Sequence, residues 1–117
     1  MAVIVECEEP KILKKKIKES VIEGDIDTWS LDRDGDFTHI PEQWNCKAWM
    51  HFTKDDDLLK EDKGKLIFGI VGNINVKMTK SLYAVYHGRF AEMLLSHFDN
   101  DINNIIISSY KTKYDFF

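Results

Sequence analysis

The residues best placed for chemistry are His87, Arg89 and Glu92, within the stretch YAVYHGRFAEMLLSHF. A histidine acting as acid or base beside an arginine that holds a phosphate would suit phosphodiester chemistry. Helical geometry weakens that reading. Residues two apart on a helix diverge by about 160°, so His87 and Arg89 point away from each other. Arg89 and Glu92 stand three apart and are spaced to neutralise each other. A structural role for these three is favoured. A small enzyme or nucleic-acid-processing factor built on them is the alternative.

Two other groupings resemble sites and fail on spacing. Asp32-Arg33-Asp34-Gly35-Asp36 looks like a calcium loop. Aligning Gly35 with the loop glycine puts Ser30 at the first ligand position and Pro41 where a bidentate glutamate belongs. Neither side chain can do that work, so Asp34-Gly35 is read as a hairpin turn. His39, Glu42 and Cys46 match no metal-ligand spacing. The glycines Gly64, Gly69 and Gly72 form no phosphate loop, and no serine sits in a nucleophile elbow. No catalytic residue, metal or cofactor is implied.

What remains is charge and aromatic surface. Residues 25–65 hold eleven acidic side chains against six basic ones, a formal charge of −5, together with all three tryptophans: Trp29, Trp44 and Trp49. Acids interleaved with large aromatics suit a surface that meets a basic macromolecule, with long-range attraction speeding encounter and an aromatic anchor holding the complex. The expected contacts are Asp32, Asp34, Asp36, Asp55, Asp56 and Asp57 for charge and Trp44 as anchor. Trp29 and Trp49 are expected in the core. The alternative for such a run is a solvated edge whose charge discourages aggregation.

Composition sets the frame. A chain of 117 residues with 44% hydrophobic side chains reads as one domain, residues 1–117, with a modest single core. A net charge of −4 disfavours nucleic acid and anionic membrane surfaces as partners. Cys7 and Cys46 make neither a disulfide framework nor a zinc pattern. The opening MAVIVECEEP has no basic leader, and no apolar run reaches membrane-spanning length. The expected location is the cytoplasm.

The elements that must position these residues follow from periodicity. Residues 1–9 read as a short edge strand or a flexible tail. Pro10 opens a helix that Gly24 closes. Its lysines, from Lys11 to Lys18, are read as a solvated face. Residues 26–32 and 36–40 form a hairpin about a two-residue type I′ turn. That register sets Trp29 opposite Ile40 and Leu31 opposite Thr38, with Phe37 and His39 on the polar face. Residues 46–52 make a third strand, from which His51 could reach His39. The apolar run 66–71 makes a strand buried on both faces, and residues 75–78 extend or re-pair that sheet. A long, largely buried helix follows to about Phe98. Gly88 within it suggests close backbone packing. Residues 103–110 make a final, central strand, and the tail from Lys111 forms no element. The fold class is α+β: a mostly antiparallel sheet of four to five strands against two helices, in the order α-β-β-β-β-α-β.

Two stretches, SLDRDGDFTHIPEQWNCKAW (30–49) and YAVYHGRFAEMLLSHFD (83–99), resemble small bacterial cytosolic proteins. These include the immunity proteins of contact-dependent inhibition and other polymorphic toxin systems. The resemblance implies a non-enzymatic inhibitor whose cognate partner is a basic toxin domain, covered at its active site or an exosite. A regulatory subunit of a larger complex is a further alternative. The oligomeric state is left open.

Overall fold

The computed structural model describes residues 2–52, 64–109 and 111–117. In chain order the elements are β1 (Ala2–Glu6), α1 (Pro10–Ile22), β2 (Trp29–Leu31), β3 (Phe37–His39), β4 (Ala48–Phe52), β5 (Lys65–Gly72), α2 (Lys80–Phe98), a short 3-10 helix (Asp99–Asp101) and β6 (Asn104–Ile107). The protein is α+β. One sheet runs in the order β2-β3-β4-β5-β1-β6, with every neighbouring pair antiparallel. The described strands number six rather than four to five, because residues 2–6 are a strand.

That first strand is neither an edge nor a tail. It lies between β5 and β6, with Val3 and Val5 fully buried. Conversely, the triple-isoleucine strand is not central. β6 forms the sheet edge, and Ile106 and Ile107 are 46% and 43% exposed. A continuous apolar run therefore marked a buried strand correctly in β5, whose middle five residues are all buried, and misleadingly in β6.

Both helices pack on one face of the sheet. Leu13, Ile17 and Val21 of α1 and Leu82, Tyr86, Phe90 and Leu94 of α2 share a core with Phe37, Met50, Phe52, Phe68 and Ile70. Pro10 stands in the first turn of α1, where its missing N–H leaves no bond unmade. Thr79 caps α2 by accepting the Leu82 N–H at 3.0 Å. Apolar character around α2 exceeds its burial: Leu95 is 53% exposed and Tyr83 and Val85 are only half-buried.

Gly88 does not mark a close helix contact. It is exposed, and a Cβ built there meets nothing within 4 Å. Gly88→Ala should therefore raise stability by about 1 kcal/mol, since helix propensity changes and packing does not. A higher urea midpoint at unchanged m-value would show it; a lower midpoint would mean that the position is constrained after all.

Residues 75–78 do not re-pair the sheet; they belong to an irregular connection closed by the Val76 N–H on the Asn73 carbonyl at 3.0 Å. The tail, by contrast, joins it. Phe116 bridges Val71 in parallel, donating its N–H to the Ile70 carbonyl and accepting from the Gly72 N–H, each at 2.8 Å. The Asp115 carboxylate accepts the Ile70 N–H at 3.0 Å. The tail thus takes up the stretch of β5 that lies beyond Ala2.

Candidate functional site

The hairpin differs from expectation by one residue. Trp29 pairs with His39, Ser30 with Thr38 and Leu31 with Phe37. The turn has three residues rather than two. Asp32 and Asp36 close it through a 2.9 Å backbone bond, and only Gly35 takes positive φ, at 83°. A type I′ turn would require positive φ at Asp34 as well. Asp32 explains the difference: its carboxylate accepts the N–H groups of both Asp34 and Asp36 at 2.9 Å. The one-residue slip turns Phe37 and His39 inward, and both are buried.

The three hairpin aspartates therefore do different things. Asp32 holds the turn. Asp36 bonds His51 Nδ1 at 2.6 Å, so His51 does not reach His39. Burial raises the Asp36 carboxyl above its ordinary pKa, and the His51 hydrogen bond opposes that shift. Asp34 stands exposed at the tip. Asp55, Asp56 and Asp57 lie outside the described residues.

The acidic character extends along the free edge of β2. Residues 23–36 contain Glu23, Asp25, Asp27, Asp32, Asp34 and Asp36 against Arg33 alone, and the first five of these acids are exposed. Because Thr28 bonds Ile40 and Asp32 bonds Asp36, the alternate residues Trp29 and Leu31 direct their backbone groups away from β3. Beside this edge lies a shallow apolar hollow of about 380 Å³, lined by Val21, Ile22, Ile26, Leu31 and Ile40. Ile22 is 71% exposed there.

A second hollow, a cleft of about 430 Å³ that shares Asp27 and Trp29 with the first, is lined by His39, Trp44, Arg89, Glu92 and His97, among others. Trp44 is half-buried in it. Its segment is fastened by a buried polar group: the Tyr86 hydroxyl donates to the Trp44 carbonyl and accepts the His39 N–H at 3.4 Å. The Thr38 hydroxyl, 3.0 Å from that of Tyr86, accepts the Cys46 N–H at 2.9 Å and donates to the Ala48 carbonyl at 3.0 Å. Burial pushes the Tyr86 phenol up, which keeps it a donor. Sequence reasoning missed Tyr86 and Thr38 in this role, because a tyrosine on an apolar stripe reads as core alone.

The cleft separates the proposed chemical trio. Arg89 and Glu92 form an exposed pair at 3.2 Å. His87 is only 1% exposed, donates from Nδ1 to the Tyr83 carbonyl at 2.7 Å and lies against the Tyr83 ring. It does not line the cleft with the other two. Among the described residues, no group of three or more His, Cys, Asp or Glu side chains could hold a metal ion, so His39, Glu42 and Cys46 do not assemble one. Trp29 is core, edge-on to Tyr86 and Phe90. Trp49 is only half-buried, paired with Val71 on the sheet face away from the helices.

No family model, curated protein or solved structure matches this chain. Its site is therefore read from its own chemistry. No helix among the described residues is long and apolar enough to cross a membrane.

His39 makes the cleft margin sensitive to acid. Its Nδ1 donates to the Thr28 carbonyl at 2.9 Å. Burial lowers its pKa, and the Thr28 bond offsets part of that effect. The unfolded chain then takes up the proton first as pH falls through about 6.5. Stability should decline below that pH until the folded imidazole also charges. Urea midpoints at about pH 7.5 and pH 5.5 check this: His39→Gln should flatten the difference, and an unchanged slope would assign it to other groups.

Proposed function

We propose that this chain is a non-enzymatic binding protein that neutralises a basic protein partner in the cytosol, in the manner of a polymorphic-toxin immunity protein. The carrying observation is the free β2 edge, where the exposed carboxylates of Glu23, Asp25, Asp27, Asp32 and Asp34 lie beside an exposed apolar hollow, with Arg33 and the Lys18 ammonium at the turn as the nearby cations. A partner that holds nucleic-acid phosphates with Lys and Arg would find those phosphates replaced by Asp25, Asp27 and Asp34. Occlusion, rather than chemistry, is then the mechanism. Apolar contact at Ile22 and Ile40, with Trp44 in the adjoining cleft, would hold what the charge attracts.

Asp32 and Asp36 are poorer choices for a test, because changing them disturbs the turn and His51. Reversing Asp25, Asp27 and Asp34 to lysine leaves those bonds intact. The reversal should slow association with the basic partner by about tenfold to a hundredfold at low salt. Raising salt should slow the wild type and close the gap. Stopped-flow association with the cognate toxin domain is the measurement; equal rates at low salt would remove this edge from the interface.

A further inference from the structure

The two edges of the sheet are built differently. The β2 edge is three residues long and surrounded by charge. The β6 edge, four residues long, carries no charge. Residues 102–110 contain no charged side chain, no proline and no glycine. Charge and proline are devices by which natural edges avoid pairing with other strands. Two isoleucines of β6 are also substantially exposed, Ile106 and Ile107.

The backbone of that edge is ready to pair. Ser108 donates to the Ala2 carbonyl at 3.1 Å, and Ile106 lies opposite Ile4. The residues facing β1 are thus 104, 106 and 108, joined at the strand's start by Asn103, whose N–H donates to the Glu6 carbonyl at 2.8 Å, and Ile105 and Ile107 direct their N–H and C=O groups outward. Among the described residues, nothing pairs with them.

We propose that β6 is the seat of a two-fold homodimer, in which β6 of a second copy pairs antiparallel with it and joins the two sheets. The register is set by the sequence. With Ile106 on the two-fold axis, Ile105 of one copy meets Ile107 of the other as a hydrogen-bonded pair. Asn104 meets Ser108, both neutral, and the pairing ends before Asn103, whose N–H is held by Glu6. The charges begin beyond them: Asp99 and Asp101 at one end of the strand, Asp101 already paired with Lys16 at 3.3 Å, and Lys111 and Lys113 at the other, Lys111 already donating to the Phe117 carbonyl. An antiparallel arrangement brings the acidic end of one copy to the basic end of its partner, whereas a parallel one would set like charges together. A protein of net charge −4 meets its own copy here through a stretch that carries no charge. The acidic β2 edges would lie at the two outer ends, both free. This inference is independent of the partner proposed for the β2 edge.

Sedimentation velocity of the full chain over nanomolar to high micromolar concentration tests it. The mass should rise from 13.7 kDa towards twice that value. Ile106→Lys, which sets two ammonium groups together on the axis at an already exposed position, should weaken association by about tenfold or more. Ile74→Lys, at a residue 99% exposed in another loop, should leave it unchanged and controls for loss of apolar surface. A far-UV spectrum matching the wild type establishes that the Ile106 variant is folded. A wild type that stays monomeric at high micromolar concentration overturns the proposal. So does a dimer that Ile106→Lys leaves intact or that Ile74→Lys weakens equally.

Discussion

Phe90→Ala should lower the unfolding free energy by about 3–5 kcal/mol, the range for deleting a fully buried aromatic ring. Phe90 is 0% exposed, and its ring meets Trp29 at 5.1 Å, Phe68 at 4.7 Å and Phe37 at 5.8 Å. It therefore ties α2 to three strands at once. The neighbours are large rings fixed by one another, as Phe52 is against both Phe37 and Phe68, so they cannot collapse into the space. Against a typical total of about 5–15 kcal/mol for a domain, the loss is severe. It also reaches the site, because Trp29 belongs to β2 and packs on Tyr86, which fastens the Trp44 segment. Leu95→Ala on the exposed face of the same helix should cost under about 0.5 kcal/mol. Urea midpoints for the two variants decide it. Similar midpoints would mean that the aromatic cluster is not the keystone of the core.

Gly69→Ala should destabilise by about 3 kcal/mol, through the tail rather than the core. A Cβ at Gly69 would lie 1.7 Å from the Tyr114 carbonyl oxygen, a backbone atom. Tyr114 cannot yield, because Asp115 and Phe116 are hydrogen-bonded to Ile70 and Gly72 just beside it. The tail must therefore leave, and those bonds are lost with it. Gly72→Ala should cost less, since its nearest obstacle is the Phe117 side chain at 2.9 Å. The discriminating experiment is a cycle with a chain ending at residue 110. In that background Gly69→Ala should be almost without effect. A full penalty in the shortened chain would show that the clash lies elsewhere.

The features legible in the sequence were those decided locally. Pro10 and Gly24 bracket α1 because one lacks a donor and the other accepts positive φ, here 87°. The run in β5 is buried because the helices cover one of its faces and the tail crosses the other at Gly69. Errors arose where a distant partner decides. Val3–Val5 is too short to show whether its strand lies inside or at the edge. Ile105–Ile107 has the same apolar pattern either way. The hairpin register turned on one carboxylate, since Asp32 bonds two N–H groups and so prefers a three-residue turn. For the tail a signal was present. Glycine inside an apolar strand marks close approach of another backbone, and Gly69 and Gly72 both serve that purpose. Of the site, the acidic run was legible from composition. The free β2 edge, the apolar hollow and the cleft were not, because each is made by residues from separate elements.

The central claim is that the acidic β2 edge neutralises a basic protein partner. Co-expression tests it most directly. A toxin domain encoded beside this chain's gene is produced alone, with the wild-type chain, or with the Asp25, Asp27 and Asp34 lysine variant at matched folded levels. The account predicts survival with the wild type and loss of most protection with the variant. Equal killing with and without the wild-type chain would contradict neutralisation, and full protection by the variant would contradict the acidic edge as its means.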